Sequence, residues 1–149
     1  MVSILSGEDH ALRALFIKSV SSTRLSIGET MPHFLIDCSE SIFILHSEEQ
    51  IIEQVHSAAK STELFNENDI KVRVNSFKKY STGNKIEIFI HVFANIMEGR
   101  SNEQKADLTK IIVQELTLMF PTVPNIGANI IEFENANYYN RNMLKRENC

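Results

Sequence analysis

Apolar and polar residues alternate in two rhythms along this chain, and the same order of rhythms occurs twice. Pro32–Cys38 places Phe34, Ile36 and Cys38 on one side, the period of two that marks a strand. Ser47-Glu48-Glu49-Gln50 follows as a capping box, in which a serine opens a helix and the glutamine three residues on closes back to its backbone. The helix it opens carries a stripe of Ile51, Ile52, Val55, Ala58 and Ala59. Ile70–Phe77 then alternates Ile70, Val72 and Val74 against Lys71, Arg73 and Asn75, a strand with one apolar and one polar face. The second round begins with Lys85–Ile96. Ile86, Ile88, Ile90, Val92, Ala94 and Ile96 fall on one side, and Glu87, Phe89, His91, Phe93 and Asn95 on the other. Ser101-Asn102-Glu103-Gln104 is a second capping box. Its helix carries Leu108, Ile111, Ile112, Leu116 and Met119 and is stopped by Pro121 and Pro124. Gly127–Phe133 is the fourth expected strand, and the tail from Tyr138 is expected to form a short hairpin or helix.

The pattern therefore predicts an α/β (α+β) fold made of a duplicated β-α-β unit, each copy about sixty residues long. A strand–helix–strand unit crosses over right-handed and gives parallel neighbours. Two such units in one sheet predict a four-stranded mixed sheet with both helices on one face. The other face would carry Phe89, His91 and Phe93, and aromatics on an uncovered sheet face predict an oligomer.

Composition sets boundaries on this picture. Of the 149 residues, 43% are hydrophobic and 23% charged, as in an ordinary globular domain. The net charge of −4 gives no general pull toward nucleic acid, and no apolar run reaches the roughly 18–20 residues of a membrane span. Cys38 and Cys149 are the two thiols. With no secretory signal they point to a reducing compartment, expected to be the cytoplasm. Cys38 is expected to act as a small buried hydrophobe. The five histidines are scattered, with no CxxC or HExxH, so no metal site is expected. Residues 1–30 are serine-rich and neutral overall and do not share the later periodicity. They are expected to be an N-terminal extension that is disordered or not part of the native protein, ahead of a domain at 31–149.

Two segments are distinctive: Met31-Pro32-His33-Phe34, which opens the first strand, and His91-Val-Phe-Ala-Asn-Ile-Met-Glu-Gly99-Arg100-Ser101, which joins the third strand to the second helix. Together with the duplicated β-α-β plan they resemble the 5-carboxymethyl-2-hydroxymuconate isomerase family of the tautomerase superfamily. The resemblance implies a cofactor-independent, cytoplasmic, homotrimeric isomerase in the breakdown of aromatic acids such as 4-hydroxyphenylacetate. Its substrate would be an unsaturated di- or tricarboxylate bearing an enol or keto group. The resemblance also implies that Pro32 is the general base, once it is N-terminal. A free α-amino group has a pKa of about 7.7–8.0, lowered further by burial beside cations, so it is neutral near pH 7. Arg100, just ahead of the capping Ser101, is expected to hold a substrate carboxylate. Where the family's second arginine is expected this chain has Lys71, and Arg73 follows on the same polar face. His33 and His91 are expected to be structural.

Pro32 is preceded by Thr30-Met31 in this sequence, and an amide nitrogen is not a base. Three readings stay open at this point. Met31 is the true start; the leader is cut away; or it is kept and the chain is an inactive tautomerase-fold binder of a small carboxylate or a protein partner.

Overall fold

The computed structural model describes residues 32–148. The reading of residues 1–30, and that of Cys149, lie outside the described residues. Four strands form one sheet: β1 (His33–Ser39), β2 (Lys71–Phe77), β3 (Phe89–Met97) and β4 (Asn125–Phe133). Helix α1 (Glu48–Ser61) links β1 to β2, and α2 (Asn102–Met119) links β3 to β4. The spatial order is β2-β1-β3-β4. Each repeat pairs its own strands in parallel, and the two repeats meet through the antiparallel pair β1/β3. This is the duplicated β-α-β arrangement, a mixed four-stranded sheet.

Both capping boxes form as the sequence predicts. Ser47 Oγ accepts from the Gln50 N–H while the Gln50 side chain accepts from the Ser47 N–H, and Ser101 and Gln104 repeat the exchange. The helices pack side by side on the sheet face that carries Phe34, Ile36, Val92 and Ala94, all fully buried. Ile51, Val55, Leu108 and Ile112 meet them from the helices. Cys38 is in this core, and burial pushes its thiol up to about 11, so it stays protonated.

Two strand starts differ by two residues or more from the sequence reading, and the tail forms one of the two expected elements. The alternation at Lys85–Ile96 does not become strand until Phe89, and Ile86 is 85% exposed. Gly83 and Asn84 take positive φ in the turn before it, which spends those residues on reversing the chain. β4 begins earlier, at Asn125, directly after Pro124. The tail forms a 3-10 turn at Asn135–Asn137 and a short helix, α3 (Arg141–Glu147). Among the described residues no helix is long and apolar enough to cross a membrane.

Candidate active site

Strand directions decide what meets at the start of β1. β2 runs parallel to it, so Lys71 lies beside His33. β3 runs the other way and ends there, with Asn95 opposite His33. β4 follows β3, so Phe133 lies beside Met97. The Glu98–Arg100 turn leaves β3 at this end, and Leu64 and Phe65 approach it from the loop before β2. One end of the sheet thus gathers Pro32, His33, Lys71 and Arg100 from distant parts of the sequence.

Pro32 is buried, and its carbonyl accepts from the Lys71 N–H at 3.0 Å. This bond continues the β1/β2 ladder past the first strand residue and fixes the direction of the pyrrolidine ring. By alternation Pro32 has the parity of Phe34, the face turned to the helices.

Arg100 is held from three sides. Nη1 donates to the Met97 carbonyl at 3.2 Å and Nη2 to the Leu64 carbonyl at 3.0 Å. The guanidinium carbon lies 4.7 Å over the Phe65 ring, which in turn packs edge-on against Phe34 at 5.9 Å. Gly99, at φ +114°, makes the turn that delivers Arg100, a backbone shape that side-chain-bearing residues rarely adopt. Burial lowers the Arg100 pKa, opposed by the charge of Glu132, yet a guanidinium remains charged. Among the described residues no carboxylate is ion-paired with it; Glu132 is engaged by Lys105 Nζ at 2.6 Å. A half-buried cation without a paired carboxylate favours an incoming anion.

Lys71 and Arg73 lie on the other face of the sheet. Lys71 Nζ donates to the Asp69 carbonyl at 3.2 Å. Arg73 Nη1 donates to His33 Nδ1 at 3.1 Å. The structure therefore brings Lys71 and Arg73 together around His33 and holds Arg100 separately, around Phe65 on the helix side. Asp37, Glu132 and Glu134 are dispersed and form no acid/base set: Asp37 is opposite His91, Glu132 binds Lys105 and Glu134 accepts from Asn137.

Sequence reasoning did not anticipate the Leu64 and Met97 carbonyls that hold Arg100, or Asn95, whose amide donates to the His33 carbonyl at 3.2 Å. Backbone acceptors leave no signature in sequence. Asn95 could have been noticed as a polar residue inside an otherwise apolar strand end. The His46 Nε2 lies 3.1 Å from the Met119 carbonyl, and its ring packs edge-on against Phe120. A groove of about 460 Å³ lined by Gln54, Glu115 and Leu118 lies toward the opposite end, where α1 begins and α2 ends.

The solved structures most like this fold include a 5-carboxymethyl-2-hydroxymuconate isomerase from Deinococcus radiodurans R1. It superposes with a TM-score of 0.67 at 20% identity, over 81% of this chain and 97% of that one. A 5-carboxymethyl-2-hydroxymuconate delta-isomerase gives 0.61 at 13% identity, over 80% and 94%. A fused 4-OT described as an asymmetric trimer gives 0.63 at 12% identity, over 73% and 92%. At these identities the likeness establishes the tautomerase-like fold. No curated protein matches the sequence significantly. The sequence model of the 5-carboxymethyl-2-hydroxymuconate isomerase family matches residues 32–148, the same stretch that builds the sheet, both crossover helices and the Pro32 end. By that match the chain belongs to the 5-carboxymethyl-2-hydroxymuconate isomerase family.

Proposed function

We propose that the protein is a cofactor-independent tautomerase that moves a proton within an unsaturated 2-hydroxy- or 2-oxo-polycarboxylate, of which 5-carboxymethyl-2-hydroxymuconate is the type, and that its active form begins at Pro32. The observation that carries this reading is Arg100: half-buried, pinned and not ion-paired among the described residues, at the sheet end where Pro32 opens β1. With its nitrogen bare, Pro32 is a secondary amine whose pKa starts in the ordinary α-amino range of about 7.7–8.0 and is lowered by burial and nearby cations. Its lone pair takes the proton from the enol hydroxyl. The electron pair moves along the conjugated system, and the ammonium returns the proton to a carbon of that system, leaving a ketone. Arg100 holds a carboxylate and draws charge toward the carbonyl end, helped by the unpaired N–H groups of the α2 N-terminus. Lys71 and Arg73 attract the anionic substrate from the other face. We propose further that the chain is a cytoplasmic homotrimer acting in aromatic-acid breakdown, as the family resemblance and the trimeric fused 4-OT support.

The test has two parts. Intact mass of protein from its native cell is expected to show a species beginning at Pro32. That species is expected to speed ketonisation of 2-hydroxymuconate, with a rate that falls as pH drops through the amine's pKa, and Pro32→Ala is expected to lower the rate sharply. A mass that retains residues ahead of Pro32 points instead to the inactive carboxylate binder, and an unchanged rate in the alanine variant removes Pro32 as the base.

A further inference from the structure

His33 stands among groups that would repel it were it charged. From β2 it faces two cations, Lys71 as its cross-strand partner and Arg73 two pairs further along, on the same face. From β3 it faces the neutral Asn95, and from β4 the edge of Phe133 at 6.5 Å, with the phenol Tyr138 stacked behind at 5.8 Å. On β1 itself Asp37 lies beyond Leu35 on the same face. A guanidinium has only N–H donors, so its bond to Nδ1 requires a lone pair on that nitrogen. The neutral ring must then carry its proton on Nε2. A protonated ring presents N–H at both nitrogens, and the contact becomes repulsive. Burial, then Arg73, then Lys71 hold the His33 pKa below the ordinary histidine value, so the neutral form persists at physiological pH.

What this arrangement orients is Arg73. It is exposed on the edge strand β2, where a long side chain would otherwise sample many rotamers. Among the described residues no carboxylate is ion-paired with it. One Nη of the fork is taken by the imidazole, and Arg73 follows Lys71 on the same face of β2, two residues in from the sheet end that begins with Pro32. A guanidinium binds a carboxylate through two parallel hydrogen bonds only when its plane is correctly set.

We propose that His33 is a positioning residue that sets the Arg73 guanidinium to bind a second substrate carboxylate, so that the His33–Arg73 pair selects dicarboxylates over monocarboxylates. This deepens the proposed function and rests on its polycarboxylate substrate, with Arg100 serving the first carboxylate from the helix side.

The probes are cis,cis-muconate and sorbate, six-carbon dienoates with two carboxylates and one. Neither requires turnover, so the measurement stands whether or not Pro32 transfers protons. Dissociation constants are measured on the full chain by NMR titration. At about pH 8 the wild type is expected to prefer muconate by about tenfold. His33→Leu is expected to abolish most of that preference through muconate alone, leaving sorbate affinity unchanged. His33→Asn places an oxygen acceptor close to the position of Nδ1 but cannot be protonated there. It is expected to keep the preference at about pH 8 and at every lower pH, whereas the wild type loses it as the pH falls through the His33 pKa, which lies below the ordinary histidine value. Equal affinity of the wild type for the two acids overturns the proposal, as does a His33→Leu variant that still discriminates. Should the leucine variant fail to fold, the pH profile of the asparagine variant decides: a loss of preference at low pH parallel to that of the wild type overturns it.

Discussion

At the scale of single residues, Arg100 has two separable duties. Its N–H groups satisfy the Leu64 and Met97 carbonyls, and its charge sits over Phe65. Arg100→Ala leaves two carbonyls without their donor, which costs about 1–3 kcal/mol of stability, visible in urea unfolding. The proposed catalytic duty is expected to be larger. If Arg100 anchors the charge that develops in the transition state, kcat/KM on 2-hydroxymuconate is expected to fall by about 2–4 kcal/mol in ΔΔG‡. A loss under about 0.5 kcal/mol, the size typical of surface changes, would leave it with the structural duty alone. The Phe65→Leu variant separates the two: it removes the aromatic face, worth about 0.5–2 kcal/mol, while the charge and both hydrogen bonds remain. His91 needs a different account. Its Nε2–H donates to Asn129 Oδ1 at 2.6 Å, and its ring lies against Phe93 at 4.6 Å. A Cβ at position 127 would meet His91 Nδ1 at 3.0 Å, so Gly127 is the residue that lets the imidazole lie flat on β4.

At the scale of elements, the turn between β3 and α2 shows how local chemistry serves the site. Gly99 at φ +114° and the Ser101 cap follow one another around Arg100. Gly99→Ala forces a strained backbone and is expected to cost about 1–3 kcal/mol in urea unfolding and to reduce turnover by displacing Arg100. Ser101→Ala is expected to cost about 1 kcal/mol with little effect on turnover, because the cap lies on the helix and not on the guanidinium. Equal damage to turnover from both would mean that helix placement, not the turn, sets the arginine. The capping boxes, the two crossover helices and the strand cores were legible because each is written locally, in the spacing of Ser with Gln or of Ile with Val. The places of Pro32 at the start of β1 and of Arg100 in the turn before α2 were legible as motifs on expected elements. The start of β3 was not. Ile86 and Ile88 continue the alternation of Ile90 and Val92, yet Ile86 is solvent-exposed, because the chain reverses through Gly83 and Asn84 before it can pair. Nor was the division of cations between the two sheet faces. It follows from parity and register, which become visible only when Lys71 is set beside His33 and Arg100 beneath Phe65.

The whole molecule presents two unlike sheet faces. α1 and α2 cover one, sealing Phe34, Ile36 and Val92. The other carries Leu35 beside Phe93, with Phe89 packed on Tyr80 and Phe77 at 5.1 and 6.3 Å and Ile131 42% exposed. In a single chain these side chains are only half covered. An apolar face of this kind, with a fixed polar pair at its centre in His91 and Asn129, is suited to a partner that buries it while meeting that pair with polar atoms. The proposed trimer supplies one, since a ring of copies covers every such face with the same surface. Phe93→Glu puts a charge in the middle of that face, away from Pro32 and Arg100. Burying it between protomers should weaken association by on the order of 2 kcal/mol or more per interface, enough to convert the assembly to monomers at micromolar concentration in sedimentation velocity. The charge remains in water in the free chain, so its circular dichroism should match the wild type. If turnover falls together with the assembly, the neighbouring protomer completes the pocket around Pro32. If monomers form and turn over at the wild-type rate, each chain holds a whole site, and the half-covered face serves association alone.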